Sequence, residues 1–189
     1  MATADLTRQR LVRAALELFA AQGYHETTTG QIARKAGVAE GTIYKHFQSK
    51  QHLLNELYRG AARWAGRAAE EADAAPGPVR ERLQGLAQHL VAGAVQEPAV
   101  MQLYFVDRPA PLLDDKSREA GRDFHTALER LLARGKADGV VRPGAAEVWA
   151  GVWLAVIRQA LERVLARDWG ESSPGVRQSI DAAWASVSR

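Results

Sequence analysis

The side chains of this chain whose types and spacing could do chemistry crowd into one short stretch, KAGVAEGTIYKHFQSK, residues 35–50. Its second half sets Thr42, Tyr44, Lys45, His46 and Lys50 around only two apolar anchors, Ile43 and Phe47. Four residues apart, the anchors share one face of a helix. With that face turned inward, Glu40, Thr42, Tyr44, Lys45 and His46 point outward or sideways. A short helix built this way suits the major groove of DNA, where side chains read base edges. Lys45 can donate to guanine O6 and N7, and His46 to a base or a phosphate. Tyr44, beside the Ile43 anchor, reaches sideways and suits a phosphate better. The competing reading is a plain helical hairpin with a polar surface.

Other chemistries find little footing. The chain has no cysteine, which removes disulfides and thiolate metal sites. There is no G-x-S-x-G, no phosphate-binding glycine loop and no H-E-x-x-H. His125 near Asp123, and Asp114 beside Asp115, have no spacing that builds a metal site or an acid–base pair. The acids at 70, 71 and 73 read as a solvated helix end. No catalytic residue, metal or cofactor is expected, and an enzyme is the disfavoured class.

The elements that must position residues 40–50 read as helices throughout, with no sustained alternation of a strand. Leu11, Val12, Ala15, Leu18 and Phe19 recur at helical spacing up to Gly23. Thr28 and Gln31 form a capping box that opens a short helix, which Gly37 ends. A helix-turn-helix needs a small residue where its helices cross, a turn glycine and apolar anchors. Ala33, Gly37, and the set Ile32, Ala36, Val38, Ile43 and Phe47 supply them. Ser49 can cap a long helix from Lys50 to about Asp73, closed by AAPGPV. Further helices are expected at 78–95, 98–106, 111–137 and 145–167, and after Pro174.

Helix 145–167 carries only Arg158, Gln159, Glu162 and Arg163 as strongly polar side chains between Val148 and Leu165. A helix apolar on nearly all sides must be covered on nearly all sides, either centrally in one chain or by a second subunit. The last segment places Val176, Ile180, Ala183, Trp184 and Val187 on one face. Together the last two helices could form a four-helix dimer interface.

Of 189 residues, 47% are hydrophobic, enough for one or two small cores. Net charge is +3, from 25 basic and 22 acidic side chains. Residues 1–52 hold seven Lys/Arg against four acids, and the remainder balances at 18 against 18. A basic first third on a neutral body points to an anionic partner for that third, against ordinary surface charge. The N-terminal MATADLTRQR has no apolar stretch, and the run 148–157 is too short to span a bilayer. A soluble, cytoplasmic protein without a membrane partner is expected.

The stretch TTTGQIARKAGVAEGTIYKHFQSKQHL, with the preceding Ala14, Leu18, Phe19 and Gly23-Tyr24, resembles the DNA-binding domain of the TetR family of bacterial transcriptional regulators. The resemblance covers about residues 7–55. It departs from the family at Ala39, where Ser or Thr usually caps the recognition helix, and at Thr29, where an apolar residue is usual. It implies an all-α fold, with a three-helix helix-turn-helix domain at 1–52. A long helix would join this to a helical effector-binding and dimerisation domain at 53–189.

Carried over position by position, Thr42, Tyr44, Lys45 and His46 become recognition-helix contacts. Thr28, with its helix N-terminus, and Lys50 would hold phosphates. Lys50 at a helix start opposes the local dipole, which favours an external anion. The body would dimerise and hold an effector, apolar or aromatic in part, among Trp64, His89, Tyr104, Phe105, Phe124 and Trp153. The partners implied are a double-stranded, palindromic operator, a second copy and that small molecule. The expected function is a ligand-responsive repressor. The alternative is a DNA-binding protein of the same fold without small-molecule induction, acting as an activator or DNA-organising protein with a protein partner.

Overall fold

The computed structural model describes residues 2–189, with side chains from Ala4 onward; Met1, at the start of the expected first domain, lies outside the described residues. Helix α1 (Ala2–Gln22) is followed by α2 (Thr29–Ala36), a 3-10 turn at Glu40–Lys45 and the long α3 (Lys50–Ala74). Then come α4 (Val79–Gln96), α5 (Pro98–Met101), a π-helical segment (Gln102–Asp107) and a 3-10 turn (Ala110–Leu112). Helices α6 (Asp115–Ala137), α7 (Ala146–Leu165) and α8 (Pro174–Val187) complete the chain. The all-α expectation holds. Among the described residues no strand forms, only an isolated bridge between Val141 and Ser188.

The local signals near the N-terminus act as their chemistry predicts. The Thr28 hydroxyl accepts from the Gln31 amide at 3.2 Å, and Gln31 Oε1 accepts from the Thr28 amide at 2.7 Å. Gly37 ends α2 at φ 69°, a left-handed conformation that disfavours other residues. Ser49 caps α3 by accepting from the His52 amide at 3.0 Å. Between them, the expected recognition helix is a single 3-10 stretch whose N-cap, Ala39, makes no side-chain hydrogen bond.

Two hydrophobic cores form. Leu11, Ala15, Phe19, Ile32, Ile43 and Phe47 make the first, together with Leu53, Leu54 and Leu57 from α3. The second fills the body, with Phe124, Leu128, Leu131, Trp153 and Ile157 at its centre. Helix α3 enters it through Ala61, Ala62, Ala65, Ala68 and Ala69, small residues that let α6 approach closely. At the crossing, a Cβ on Gly121 would lie 2.7 Å from the Tyr58 hydroxyl, so any larger residue would require the Tyr58 ring to shift.

Four expectations change in three dimensions. Asp73 is not a solvated helix end but 5% exposed, held by Arg82 at 3.4 Å, Arg130 at 3.1 Å and Arg134 at 3.2 Å. The helix expected from 111 begins instead at Asp115. Buried Asn55 donates to the Leu112 carbonyl and accepts from the Asp114 amide, fixing the chain in a bend, and Asp114 then caps α6 through the Ser117 amide. The helix expected at 98–106 widens to π geometry after Met101. Finally, the apolar face of α8 is consumed within the chain: Val176, Ile180, Ala183 and Val187 are buried in the body core, with Trp184 packed against it. An amphipathic helix has one such face, so α8 cannot also offer it to a partner.

An uncapped helix start leaves an orphan amide that a hydroxyl can satisfy. Ala39→Ser is expected to stabilise the fold by about 1 kcal/mol, raising the melting temperature by roughly 2–4 °C. No rise on thermal denaturation would show that another group already caps the turn.

Candidate nucleic-acid interface and cavities

Ile43 and Phe47 are buried, and Phe47 lies under the Arg8 guanidinium at 5.2 Å from its ring centre. These anchors leave Glu40, Tyr44 and Lys45 exposed, with Thr42 and His46 partly so. Tyr44 is 57% exposed, and its hydroxyl lies 3.3 Å from Thr29 Oγ1 in the first turn of α2. Thr29 therefore places Tyr44 at a helix N-terminus whose amides can hold an anion, with exposed Thr28 beside Thr29 in sequence. Five of the six predicted residues, Thr28, Thr42, Tyr44, Lys45 and His46, thus lie on one helix-turn-helix unit.

Lys50 differs. Its ammonium turns inward, donating to the carbonyls of Tyr24 at 2.8 Å, His25 at 3.4 Å and Thr27 at 2.7 Å. It also sits 4.2 Å from the centre of the Tyr24 ring. An ammonium has three donors, and carbonyls here take the place of the external anion that the helix dipole suggested. Lys50 therefore ties down the loop that presents Thr28.

The six candidate effector residues divide. Tyr104, Phe105 and Phe124 line one small, partly open pocket of about 100 Å³, together with Tyr58, His125 and Arg158. Sequence reasoning missed those three additions and Arg108, because their convergence depends on how α3, α6 and α7 cross. Trp64 stacks on His89 at 5.0 Å and 17°, away from that cavity, and His89 is exposed. Six positions along α3 separate Trp64 from Tyr58, which turns the two to different faces. Trp153 is fully buried core. Trp64 instead borders a cleft of about 440 Å³ between α1 and the body, whose wall includes Val12, Leu16, Val100 and Met101.

Burial is the main cause that holds His125 below its ordinary pKa; Arg108 and Arg158 act in the same direction and Glu129 opposes them. Burial likewise raises Tyr104 and Tyr58. Near neutral pH all three rings are uncharged. Among the described residues, no group of three or more His, Asp or Glu side chains could hold a metal ion, and no helix is long and apolar enough to cross a membrane.

Known proteins resemble this chain in sequence and fold. The family described as "Bacterial regulatory proteins, tetR family" matches residues 11–57. The HTH-type transcriptional regulator SrpR of Pseudomonas putida is 55% identical over 56 residues, 30% of this chain and 26% of that protein. The chain spans between 26% and 42% of the length of the first curated relatives it matches. The fatty acid metabolism regulator protein of Bacillus subtilis is 30% identical over 139 residues, covering 71% of each chain. A crystal structure of a TetR family transcription regulator from a Shewanella species superposes with a TM-score of 0.79 at 24% identity, over 97% of this chain and 98% of that one. The local helix-turn-helix match, the longer relative and the shared all-helical fold agree: this chain belongs to the TetR family of bacterial regulatory proteins.

Proposed function

We propose that this protein is a sequence-specific DNA-binding transcriptional regulator, a repressor that holds a palindromic operator as a homodimer and releases it when a small molecule fills the body. The observation that carries this reading is the surface made by residues 28–46. Two buried anchors free Thr42, Lys45 and His46 for base edges, while Tyr44 and Thr28 flank them at a helix N-terminus suited to phosphate.

Dimerisation is supported by α7. Val148, Gly151, Ala155, Gln159 and Glu162 are exposed along one side, with Val152 partly so. On α8 the outward residues Gln178, Ala182 and Ala185 are polar or small. Two such faces can pack as a four-helix bundle with close backbones. The two recognition turns would then lie about one DNA turn apart, roughly 34 Å.

Effector response is supported by the π-helical segment. Leu103 belongs to the first core, while its neighbours Tyr104 and Phe105 line the small pocket. A ligand that displaces the two aromatic rings also pulls on a residue anchoring the DNA-binding unit. π geometry is frequent at such functional positions.

Selecting genomic fragments with the purified full-length protein is expected to enrich an inverted repeat; no enrichment of any palindromic site would sink the reading. On the selected site, Lys45→Ala should weaken specific binding by about 1–3 kcal/mol and relax base preference. Lys50→Ala should lower the melting temperature, yet leave the slope of log K against log salt nearly unchanged. A slope flattened by about 0.9 would instead put the Lys50 ammonium on a phosphate. Ala155→Arg, which sets a charge in the centre of the α7 face, is expected to yield monomers by size-exclusion chromatography with light scattering. A dimer of unchanged stability would move the interface elsewhere.

A further inference from the structure

The pocket bordered by Tyr104, Phe105 and Phe124 opens to the surface at Arg108 and Ala110 and is more than an apolar void. Its walls are aromatic: Tyr104 meets Phe105 edge-on at 4.8 Å, Phe105 meets Phe124 at 5.5 Å, and Tyr58 lies 5.3 Å from Tyr104. The Tyr104 hydroxyl is already spent on the Gly121 carbonyl at 3.1 Å, so that ring serves as wall. The Tyr58 hydroxyl has no hydrogen-bond partner among the described residues. Two arginines line the same space, Arg158 partly buried and Arg108 exposed at its mouth.

Two little-exposed arginines of the body are each paired. Arg59 is paired with Glu56 and Asp114, and Arg82 with Asp73. Among the described residues, Arg108 and Arg158 have no carboxylate within ion-pair distance. Of the nearby acids, Asp107 is engaged by Gln102 at 2.7 Å, while Glu129 lies one turn beyond His125 on α6 and Asp123 is exposed. Arg108 also holds a left-handed backbone conformation, φ 45° and ψ 66°, which costs a non-glycine residue free energy and tends to persist at functional sites. Cations facing a partly desolvated aromatic chamber create a potential that favours a negative occupant. His125, held neutral by its surroundings, adds a hydrogen-bonding group without cancelling that potential.

We infer that this cavity binds an organic monoanion, a carboxylate on a single aromatic ring or short apolar chain, with Arg158 and Arg108 on the carboxylate and Tyr58, Phe105 and Phe124 around the apolar part. Guanidinium suits a carboxylate because its planar fork donates two parallel hydrogen bonds. The volume of about 100 Å³ matches one ring or a short chain. The inference rests on the regulator reading only for its consequence, release of DNA; binding itself needs no DNA.

The test uses the full-length protein, with benzoate as the probe and benzamide as its uncharged isostere, measured by calorimetry. Benzoate is expected to bind at least tenfold more tightly than benzamide. Arg158→Gln and Arg108→Gln should each remove most of that preference while leaving benzamide affinity unchanged, and Arg158→Lys should restore part of it. Unliganded melting temperatures identify any variant that fails to fold, and the lysine variant then carries the comparison. Equal affinity for benzoate and benzamide would overturn the inference. So would benzoate binding that survives both glutamine variants, or no binding of benzoate, butyrate or hexanoate. Fragment selection separates the two readings: a protein that enriches a palindrome yet binds no carboxylate keeps the regulator reading and loses this site. A protein that binds benzoate through Arg158 but enriches no site does the reverse.

Discussion

Helix α3 is buried in two cores at once, and the remaining architecture depends on that. Its first two turns give Leu53, Leu54 and Leu57 to the N-terminal core, and its next three give a run of alanines to the body. Burying a leucine contributes about 1.5–3 kcal/mol, so these three alone hold the DNA-binding unit to α3 strongly. The alanines contribute less area but permit close approach, which is what lets α6 lie against α3. No flexible linker separates the two units. A rigid rod joins them, and a tilt of the rod in the body becomes a displacement of the recognition turn.

Polar groups fix the rod at the point where its two roles meet. Arg8 of α1 pairs with Glu56 at 2.9 Å, Glu56 with Arg59, and Arg59 with Asp114 at 3.1 Å, the residue that caps α6. Arg59 has little exposure, so its pairs are less screened than surface ones. Arg59 and Glu56 both stay charged near neutral pH; its hydrogen bond to Arg59 is the main cause that lowers the Glu56 pKa. Beneath them Asn55 grips the bend before α6 by both ends of its amide. The chain of contacts runs from the DNA-binding unit through α3 to the helix whose Phe124 and His125 line the cavity.

How much of this was legible in the sequence follows from the range of the interactions. The capping box at Thr28, the turn at Gly37 and the anchors Ile43 and Phe47 are set by residues three to ten apart, and each sits where its chemistry required. The inward turn of Lys50 was not legible because its partners, the carbonyls of residues 24–27, are more than twenty residues away and backbone atoms carry no sequence signal. Asp73 was misread for the same reason: Arg130 and Arg134 reach it from α6. The α8 pattern correctly marked an apolar face, but periodicity cannot say whether the same chain or a second copy covers it. Among the effector candidates, aromatic residues on the π-helical segment and α6 converged. Trp64, His89 and Trp153 did not, because a residue's face depends on crossing angles that no local pattern encodes.

The π-helical segment is where a ligand in the pocket would meet the DNA-binding unit. An α-helix at 102–107 would rotate each residue by 100°, whereas π geometry inserts an extra residue per turn and redistributes those faces. Adjacent side chains of the segment serve different cores, Leu103 toward α1 and α3, Tyr104 and Phe105 toward the pocket. A ligand need only favour one setting of that segment by the 1–3 kcal/mol typical of allosteric coupling to change operator affinity five- to 150-fold. That amount is within reach of a single charge-assisted hydrogen bond gained in one setting and lost in the other. The left-handed Arg108, at the end of the segment, is the residue whose backbone and charge would both register the difference.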